Sequence, residues 1–216
     1  MTFAELQTET FRRIREAVGS GVYFSTEDIK DALNDGYAEL SDVTEWFEEY
    51  LEIDLLRRRP YYDLFSLIGR SFLSIKPAFD EQVNRWLIPS TVRGLDDHDR
   101  RWERVVGRPQ RLILRGIRWL GLYPRTEADG TTIKVYYTRL PEPLCADDDE
   151  PGFPEGYHQG LVAYALCDLF AQDGESRLSE AAWAEYLGYE HQLQQWVQHR
   201  PSRPLMHVMG SATSPR

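Results

Sequence analysis

Apolar side chains recur every three or four residues along the first fifty positions, which is the spacing of one helix face. Gly19 and Gly21 interrupt this pattern, and Ser25 follows as a residue that can cap the free amides of a second helix. Ala32 and Gly36 lie on the apolar face of that second helix, where small residues would let another helix approach closely. We therefore predict two N-terminal helices. Their apolar stripes comprise Phe3, Leu6, Thr10, Ile14 and Val18 in the first, and Ile29, Leu33, Tyr37 and Leu40 in the second.

The same spacing returns near the end of the chain. It begins at Pro154 or Glu155, continues to Gln172, and resumes over residues 178–199. The Asp173-Gly174 pair between the two stretches is a helix-breaking signal. We therefore predict two further helices that fold back on each other as a hairpin.

The middle of the chain changes to a period of two, which is typical of strands. Residues 51–55 alternate in this way, and residues 61–64 are predicted to return as their hairpin partner after a basic turn at residues 57–60. Residues 72–75 predict another short strand, whereas residues 80–106 favour no single assignment. A hairpin and an isolated strand are thus predicted for the first part of this region.

Three more strands are predicted downstream, at residues 110–115, 119–123 and 131–137. Gly116 separates the first two, and the Asp129-Gly130 pair is a hairpin-turn signal before the third, which is rich in β-branched and aromatic residues. We predict that these three strands form an antiparallel meander.

Helices followed by strands and then by helices indicate an α+β fold rather than an alternating α/β fold. We predict a helical bundle from residues 1–50 and 150–200, in which two N-terminal helices join a C-terminal helix hairpin. Residues 51–143 would form an inserted antiparallel β region. Residues 201–216 are predicted to be an extended C-terminal tail, because Pro201 and Pro204 cannot continue a helix.

Charge is unevenly distributed along these segments. The net charge of −10 disfavours general nucleic-acid binding. Residues 1–50 carry −8 and residues 144–200 carry −9, whereas residues 51–143 carry +5. This segregation is consistent with solvated helix faces. It is equally consistent with electrostatic complementarity between neighbouring subunits, or with an acidic wall that faces a partner to which it must not bind.

Few residues suggest catalytic or metal chemistry. The acidic run from Asp147 to Glu150 lacks the ligand spacing of a calcium loop, so we predict a solvated loop and no metal. Phosphate-binding glycine loops and nucleophile motifs are absent from the sequence, so neither an enzyme nor a cofactor is predicted. Cys145 and Cys167 are too few for a disulfide framework, which makes a cytosolic origin the default. A run of roughly 18 apolar residues, which a membrane helix needs, is also absent.

Arginines and aromatic residues interleave in the β region, a pattern that can bind nucleic acid. The aromatic residues are Tyr61, Tyr62 and Trp102. Sequence signatures of known nucleic-acid-binding folds do not accompany this patch, and ion pairing between subunits explains it equally well. The candidate arginines are Arg57, Arg58, Arg59, Arg100, Arg101, Arg104, Arg108 and Arg111.

Several short segments follow one another in an order that extends over roughly residues 1–200. They are Phe3-Ala4-Glu5-Leu6, Ser25-Thr26-Glu27-Asp28-Ile29, residues 50–55 with 62–64, Trp102, Gly107-Arg108-Pro109, Leu122-Tyr123-Pro124, residues 136–141, residues 147–151, Tyr157-His158 and residues 172–175. In this order the chain resembles the head–tail connector adaptor proteins of tailed bacteriophages.

The resemblance implies a structural subunit that joins a twelve-fold ring on the portal protein after DNA packaging. Such a ring extends the channel through which genomic DNA passes without sequence-specific binding. It also presents a platform for the tail or for a tail-completion protein, the nozzle or stopper. The expected location is the virion neck, after synthesis in the host cytoplasm, with no membrane contact.

Two groups of residues follow as candidate contact sites. In the adaptor family the C-terminal end tends to dock on the portal. Apolar residues in an extended tail suggest a segment that orders on a partner, which is the portal or a neighbouring adaptor subunit, and the alternative is a tail that packs back on its own bundle. The candidate portal-docking residues are Trp196, Arg200, Pro204, Leu205, Met206, Val208 and Met209. The candidate charged residues at the interface between subunits are Arg57, Arg58, Arg59, Asp147, Asp148 and Asp149.

Two other classes of function compete with the adaptor hypothesis. The first is a nucleic-acid-binding or regulatory module that uses the basic β surface. The second is a hydrolase that uses the acidic loop, for which the residues offer less support.

Overall fold

A computed structural model describes residues 1–18, 24–70 and 72–199 of the chain. Within these residues the elements follow in chain order as α1 (Phe3–Val18), α2 (Thr26–Thr44), β1 (Glu48–Leu55), β2 (Tyr61–Asp63), α3 (Leu64–Ile68), β3 (Phe72–Asp80), β4 (Arg85–Trp86), β5 (Ile88–Ser90), α4 (Val92–His98), β6 (Arg111–Arg115), β7 (Trp119–Tyr123), β8 (Thr131–Arg139), α5 (His158–Gln172) and α6 (Ser176–His199). Short 3₁₀ turns lie at Trp102–Arg104 and Glu155–Tyr157. The predicted α+β class is confirmed.

The chain divides into two compact units. The helical unit combines Met1–Trp46 with the chain that follows Leu140, and the β unit is Phe47–Leu140. The helical unit contains α1, α2, α5 and α6, and the β unit contains all eight strands named above.

The predicted cap of α2 is confirmed at Ser25. Its hydroxyl accepts the Asp28 N–H at 3.2 Å, and the Asp28 carboxylate accepts the Ser25 N–H at 2.8 Å. Two amides at the helix start are thereby satisfied by a reciprocal pair, which fixes where α2 begins. The predicted stripe of Ile29, Leu33, Tyr37 and Leu40 is buried along α2.

The close helix approach predicted from small residues occurs where α2 meets α5. A Cβ placed on Gly36 would lie 2.9 Å from Cδ1 and 3.0 Å from Cβ of Tyr164. The missing side chain of Gly36 therefore gives Tyr164 the space it occupies. The buried apolar residues of α5 include Leu161, Val162, Leu166, Leu169 and Phe170.

The predicted helix hairpin is also confirmed. Gly174 adopts a left-handed φ of 80° between α5 and α6, and the Glu175 N–H donates to the Phe170 carbonyl at 2.9 Å. This geometry ends α5 and reverses the chain. The second helix of the pair begins at Ser176, two residues before the predicted start.

The β unit consists of two four-stranded sheets that enclose a common core. Their strand orders are β1-β8-β3-β4 and β2-β7-β6-β5. The shared core combines Ile53, Leu55, Ala78, Ile133 and Val135 of the first sheet with Tyr62, Leu112, Leu120 and Leu122 of the second. On its other face the second sheet packs Ile113 against Leu95 of α4 and Trp102.

The predicted hairpin of residues 51–55 with 61–64 is wrong. β1 pairs along its full length with β8, whereas β2 pairs with β7 in the other sheet. The turn between β1 and β2 is held against the β7–β8 connection, since the Arg58 N–H donates to the Thr126 carbonyl at 2.9 Å. The chain therefore crosses from one sheet to the other at this turn.

The predicted meander is correct for its first two strands and wrong for the third. β6 and β7 form an antiparallel hairpin, but β8 leaves their sheet and lies between β1 and β3. Its buried residues Ile133 and Val135 face the second sheet across the core. The insertion is also not purely antiparallel, because β5 and β6 run parallel.

Candidate interaction surfaces

The acidic loop anchors the first helix. The Asp149 carbonyl accepts the Phe3 N–H at 2.8 Å, and the Asp147 carbonyl accepts the Ala4 N–H at 3.1 Å. The free amides at the start of α1 are thereby satisfied by the loop backbone. The loop thus has a structural role in the helical unit, whatever its exposed carboxylates contact.

The three carboxylates of this loop have different surroundings. Asp149 accepts the N–H groups of Cys145 and Ala146, each at 2.7 Å, and these bonds hold its pKa below the usual value. Asp147 and Asp148 are exposed. Among the residues that the structure describes, no cluster of three or more potential metal ligands occurs.

The predicted basic turn lies in the β unit, so the structure places the two candidate charged groups in different units. The side chains of Arg57, Arg58 and Arg59 are exposed. The turn is fixed mainly by its backbone, because Arg58 has a left-handed φ of 58° and the Arg57 N–H donates to the Asp129 carboxylate at 2.6 Å. The Arg59 side chain also contributes, since its Nε–H donates to the Tyr61 carbonyl at 3.1 Å and its guanidinium lies 5.3 Å from the Tyr62 ring centroid.

Arg125, which the sequence analysis did not include in the basic patch, joins two parts of it. Its guanidinium donates to the carbonyls of Arg58 and Arg104, each at 3.5 Å. Residues 57–59 and Arg104 thus meet at one corner of the β unit. Arg125 follows β7 and lies far from both segments in sequence, so spacing alone could not indicate this role.

Two of the three predicted aromatic residues of the patch lie in the core, whereas Tyr61 is half-buried and its hydroxyl donates to the Glu103 carboxylate at 2.7 Å. Tyr62 and Trp102 are buried, and the Trp102 indole donates to the Asp96 carboxylate at 2.8 Å. Arg108 is bound to the buried carboxylate of Asp80. Bases could not stack on aromatic rings that lie in the core, which removes the main support for the nucleic-acid hypothesis.

Trp196 is the described member of the predicted portal-docking group. It is 43% exposed near the end of α6, and its ring lies 5.1 Å from that of Trp46. Trp46 is itself held by a hydrogen bond from its indole N–H to the Gly152 carbonyl at 2.9 Å. The other members lie outside the described residues: Arg200, Pro204, Leu205, Met206, Val208 and Met209.

No helix in the described part of the chain is long and apolar enough to cross a membrane. The features that the structure presents are surfaces: an exposed arginine corner, an acidic loop and an exposed tryptophan. Exposed groups of this kind are available for contacts with other proteins, as structural proteins require.

Comparison with known proteins supports this class. The sequence model of the SU10 adaptor protein family matches residues 1–206. We found no match among curated proteins. Because the family match extends over nearly the whole chain, the chain belongs to the SU10 adaptor protein family. This is a family of phage adaptor proteins, whose role is structural rather than enzymatic.

Proposed function

We propose that this chain is a subunit of the head-to-tail adaptor ring of a tailed bacteriophage. In this proposal twelve copies dock on the portal, extend the DNA channel, and present the platform on which a tail or a nozzle or stopper protein attaches. The observation that carries the proposal is the family match over residues 1–206. The location that follows is the virion neck.

The charged surfaces of the two units support contacts between neighbouring copies. The exposed arginines at 57–59 belong to the β unit, and the exposed carboxylates of Asp147 and Asp148 belong to the helical unit. Two different surfaces that bind each other on successive copies make a heterologous contact, and such contacts form a ring when the rotation between copies closes. We propose that these two groups meet across the subunit boundary and fix its register.

The portal contact is assigned to the end of the chain. Trp196 is exposed, and the apolar residues Leu205, Met206, Val208 and Met209 follow it in sequence. An extended apolar segment gains most by entering pockets on a partner. We propose that this segment docks on the portal, while the genome passes through the ring without sequence-specific contacts.

Assembly on purified portal from the same virus tests the ring contact. We expect Arg57, Arg58 and Arg59 changed together to Glu to leave the subunit folded and to slow or block ring formation. The matched control is Arg93→Glu, an exposed arginine on α4 that lies outside the proposed contact. Changing Asp147 and Asp148 to Lys in the same chain should restore assembly, and Asp149 is kept because its carboxylate orders the loop. Unimpaired assembly of the triple variant would contradict the contact.

Truncation tests the portal contact. Removal of residues 201–216 should leave the melting temperature of the free subunit nearly unchanged, because the proposal places this segment on the portal and not on its own bundle. The truncated subunit should fail to attach to the portal in a co-sedimentation assay. Attachment that survives the truncation, or a sharply lower melting temperature, would show that the tail has another role.

A further inference from the structure

The hairpin between β6 and β7 ends in an apolar tip. Ile117 is 75% exposed in the turn, and the two side chains that flank it, Leu114 and Trp119, are 42% and 37% exposed. Leu114 continues the face of the strand that carries Leu112, and Trp119 lies on the opposite face. Apolar side chains therefore cover both faces and the end of this hairpin, which we name the hairpin tip (residues 114–119).

Arginines surround the hairpin tip and hold it in place. Arg118 donates to both carboxylate oxygens of Asp63, at 3.0 and 2.6 Å, and its guanidinium lies 5.1 Å from the Trp119 ring centroid. The exposed Arg115 is paired with Trp119 across the hairpin, and its guanidinium lies 5.8 Å from the centroid of the Tyr61 ring. The tip thus has an apolar end and a cationic rim, and the Arg118–Asp63 pair fixes the strand from which it projects.

The helical unit carries an apolar surface with the opposite rim. Three aromatic rings cluster there: the Trp183 centroid lies 5.0 Å from that of Tyr186, which lies 5.2 Å from that of Tyr164. Trp183 and Leu187, one turn apart on α6, are 39% and 42% exposed. We name this surface the aromatic patch (Tyr164, Trp183 and Leu187). Tyr186 is itself fully buried and packs against the rings of Tyr164 and Trp183.

Carboxylates from three helices surround the aromatic patch. Burial raises the pKa of Tyr164, and the negative charges of Glu39, Asp35 and Asp168 raise it further. Burial likewise raises the pKa of Tyr186, with Glu190 and Glu39 adding to the effect. Helical spacing places these carboxylates around the patch. Asp168 lies one turn from Tyr164 on α5, Glu190 lies one turn from Tyr186 on α6, and Asp35 and Glu39 flank Gly36, against which Tyr164 packs. They give the patch an anionic rim.

We propose that the hairpin tip of one copy seats on the aromatic patch of a neighbouring copy. This proposal rests on the proposed function, since it names a second surface by which subunits join in the ring. The partner is a second copy of the chain because each surface has an apolar centre, and the charged rim of one is complementary to that of the other. The two surfaces differ, so each copy can bind one neighbour through its tip and another through its patch.

Ile117→Asp tests the apolar centre. Ile117 is mostly exposed in the single subunit, so the variant should keep the melting temperature of the wild type. It should raise the subunit concentration needed for half-maximal assembly on portal by about tenfold or more, because a charge would enter the desolvated centre of the contact. The matched control is Val83→Asp, an exposed β-branched residue in another turn of the β unit. Equal assembly by the two variants would overturn the proposal.

A charge exchange identifies the partner. Arg115→Glu and Glu39→Arg should each weaken assembly, and the two changes together in one chain should restore it, because a tip now acidic would meet a patch rim now basic. Restoration would be absent if the tip instead contacted the portal or a tail protein, and that result would overturn the proposal. Failure of the wild type to assemble on portal at all would instead refute the proposed function.

Discussion

Asp80 is a fully buried carboxylate at the end of β3, with 0% of its side chain exposed. Arg108 donates to its two oxygens at 2.8 and 2.9 Å, and the Gln82 N–H adds a bond of 3.0 Å. We expect Arg108→Ala to lower the free energy of unfolding by about 2–4 kcal/mol, since a buried charge would lose its partner. Urea denaturation measures this loss. Arg93→Ala, an exposed change on α4, should cost less than about 0.5 kcal/mol, and an equal loss for both variants would contradict the role of Asp80.

Glu49 gives the β unit a contribution to stability that depends on pH. A hydrogen bond from Arg139 at 2.6 Å holds the pKa of Glu49 below its usual value of 4.5, and the Tyr137 hydroxyl contributes a further bond. Because its pKa is lower in the folded chain than in the unfolded chain, Glu49 stabilises the fold above pH 4.5. That contribution disappears as the pH falls through the lowered pKa.

Glu49→Gln should therefore reduce stability at pH 7 and make it less dependent on pH below about 4.5. The pair is partly exposed, so we expect a loss of no more than about 1 kcal/mol. Thermal unfolding from pH 7 down to pH 3 provides the measurement. Parallel pH profiles for the variant and the wild type would rule out this linkage.

The sequence predicts single residues well where their chemistry is local. Ser25 and Asp28 form their cap within four residues of chain, so the pattern alone identified it. Tyr62 and Trp102 were grouped with nearby arginines as an exposed surface, yet both are buried. Their burial depends on residues of strands that are distant in sequence. Proximity to the arginines in sequence therefore does not show whether these side chains are exposed.

At the level of elements, Gly36 and Gly188 provide a matched pair in two helices. A methyl group at Gly36 would press on Tyr164, whereas a methyl group at Gly188 would meet no atom within 4 Å. We expect Gly36→Ala to destabilise the chain by about 1 kcal/mol, because the clash exceeds the gain in helix propensity. Gly188→Ala should stabilise it by up to about 1 kcal/mol. Thermal or urea unfolding of both variants measures the two changes in the free energy of unfolding. Changes of the same sign would be inconsistent with close packing at Gly36.

The helices were predictable and the strand partners were not. A helix satisfies its own hydrogen bonds, and the hairpin of α5 and α6 needs only a break at Gly174. A strand takes its partner from elsewhere, and a period of two reveals which side chains are buried but not which sheet they enter. The alternating residues of β1 and β2 face one core from opposite sheets, so they satisfied the pattern of a hairpin without forming one.

At the level of the whole molecule, the ends of the β unit lie side by side. The Arg139 N–H donates to the Phe47 carbonyl at 3.0 Å, and Glu48 is paired with Thr138. We expect residues 47–140, produced alone, to fold into a β-rich domain with a cooperative thermal transition visible by circular dichroism. A fragment that starts at residue 58 lacks β1 and should remain unfolded, because β8 would lose one of its two partners. An unfolded 47–140 fragment would show that the β unit depends on the helices.

The candidate surfaces were only partly predictable. The alternation of acidic and basic segments can be counted from the sequence. It predicts the two candidate charged groups, the arginines at 57–59 and the aspartates at 147–149. The hairpin tip and the aromatic patch do not, since Ile117 lies in the turn between two predicted strands and Trp183 on a predicted helix, and neither position reveals which apolar side chains lie beside it. Their exposure is decided by where the strands and helices end, which is a property of the folded units.

The adjacent ends of the β unit also impose an order of events during synthesis. The ribosome makes α1 and α2 first, then the whole β unit, and only afterwards α5, against which both early helices pack. At a translation rate of about 5–20 residues per second, synthesis from the end of α2 to the end of α5 takes roughly 6–26 s, during which the apolar stripes of α1 and α2 lack that packing partner. The β unit has all its strands once residue 140 has emerged, so it can form while the first two helices are still waiting. The nascent chain therefore carries a folded β unit while the helical unit is still incomplete. The exposed apolar stripes of α1 and α2 are the segment to which a chaperone would bind.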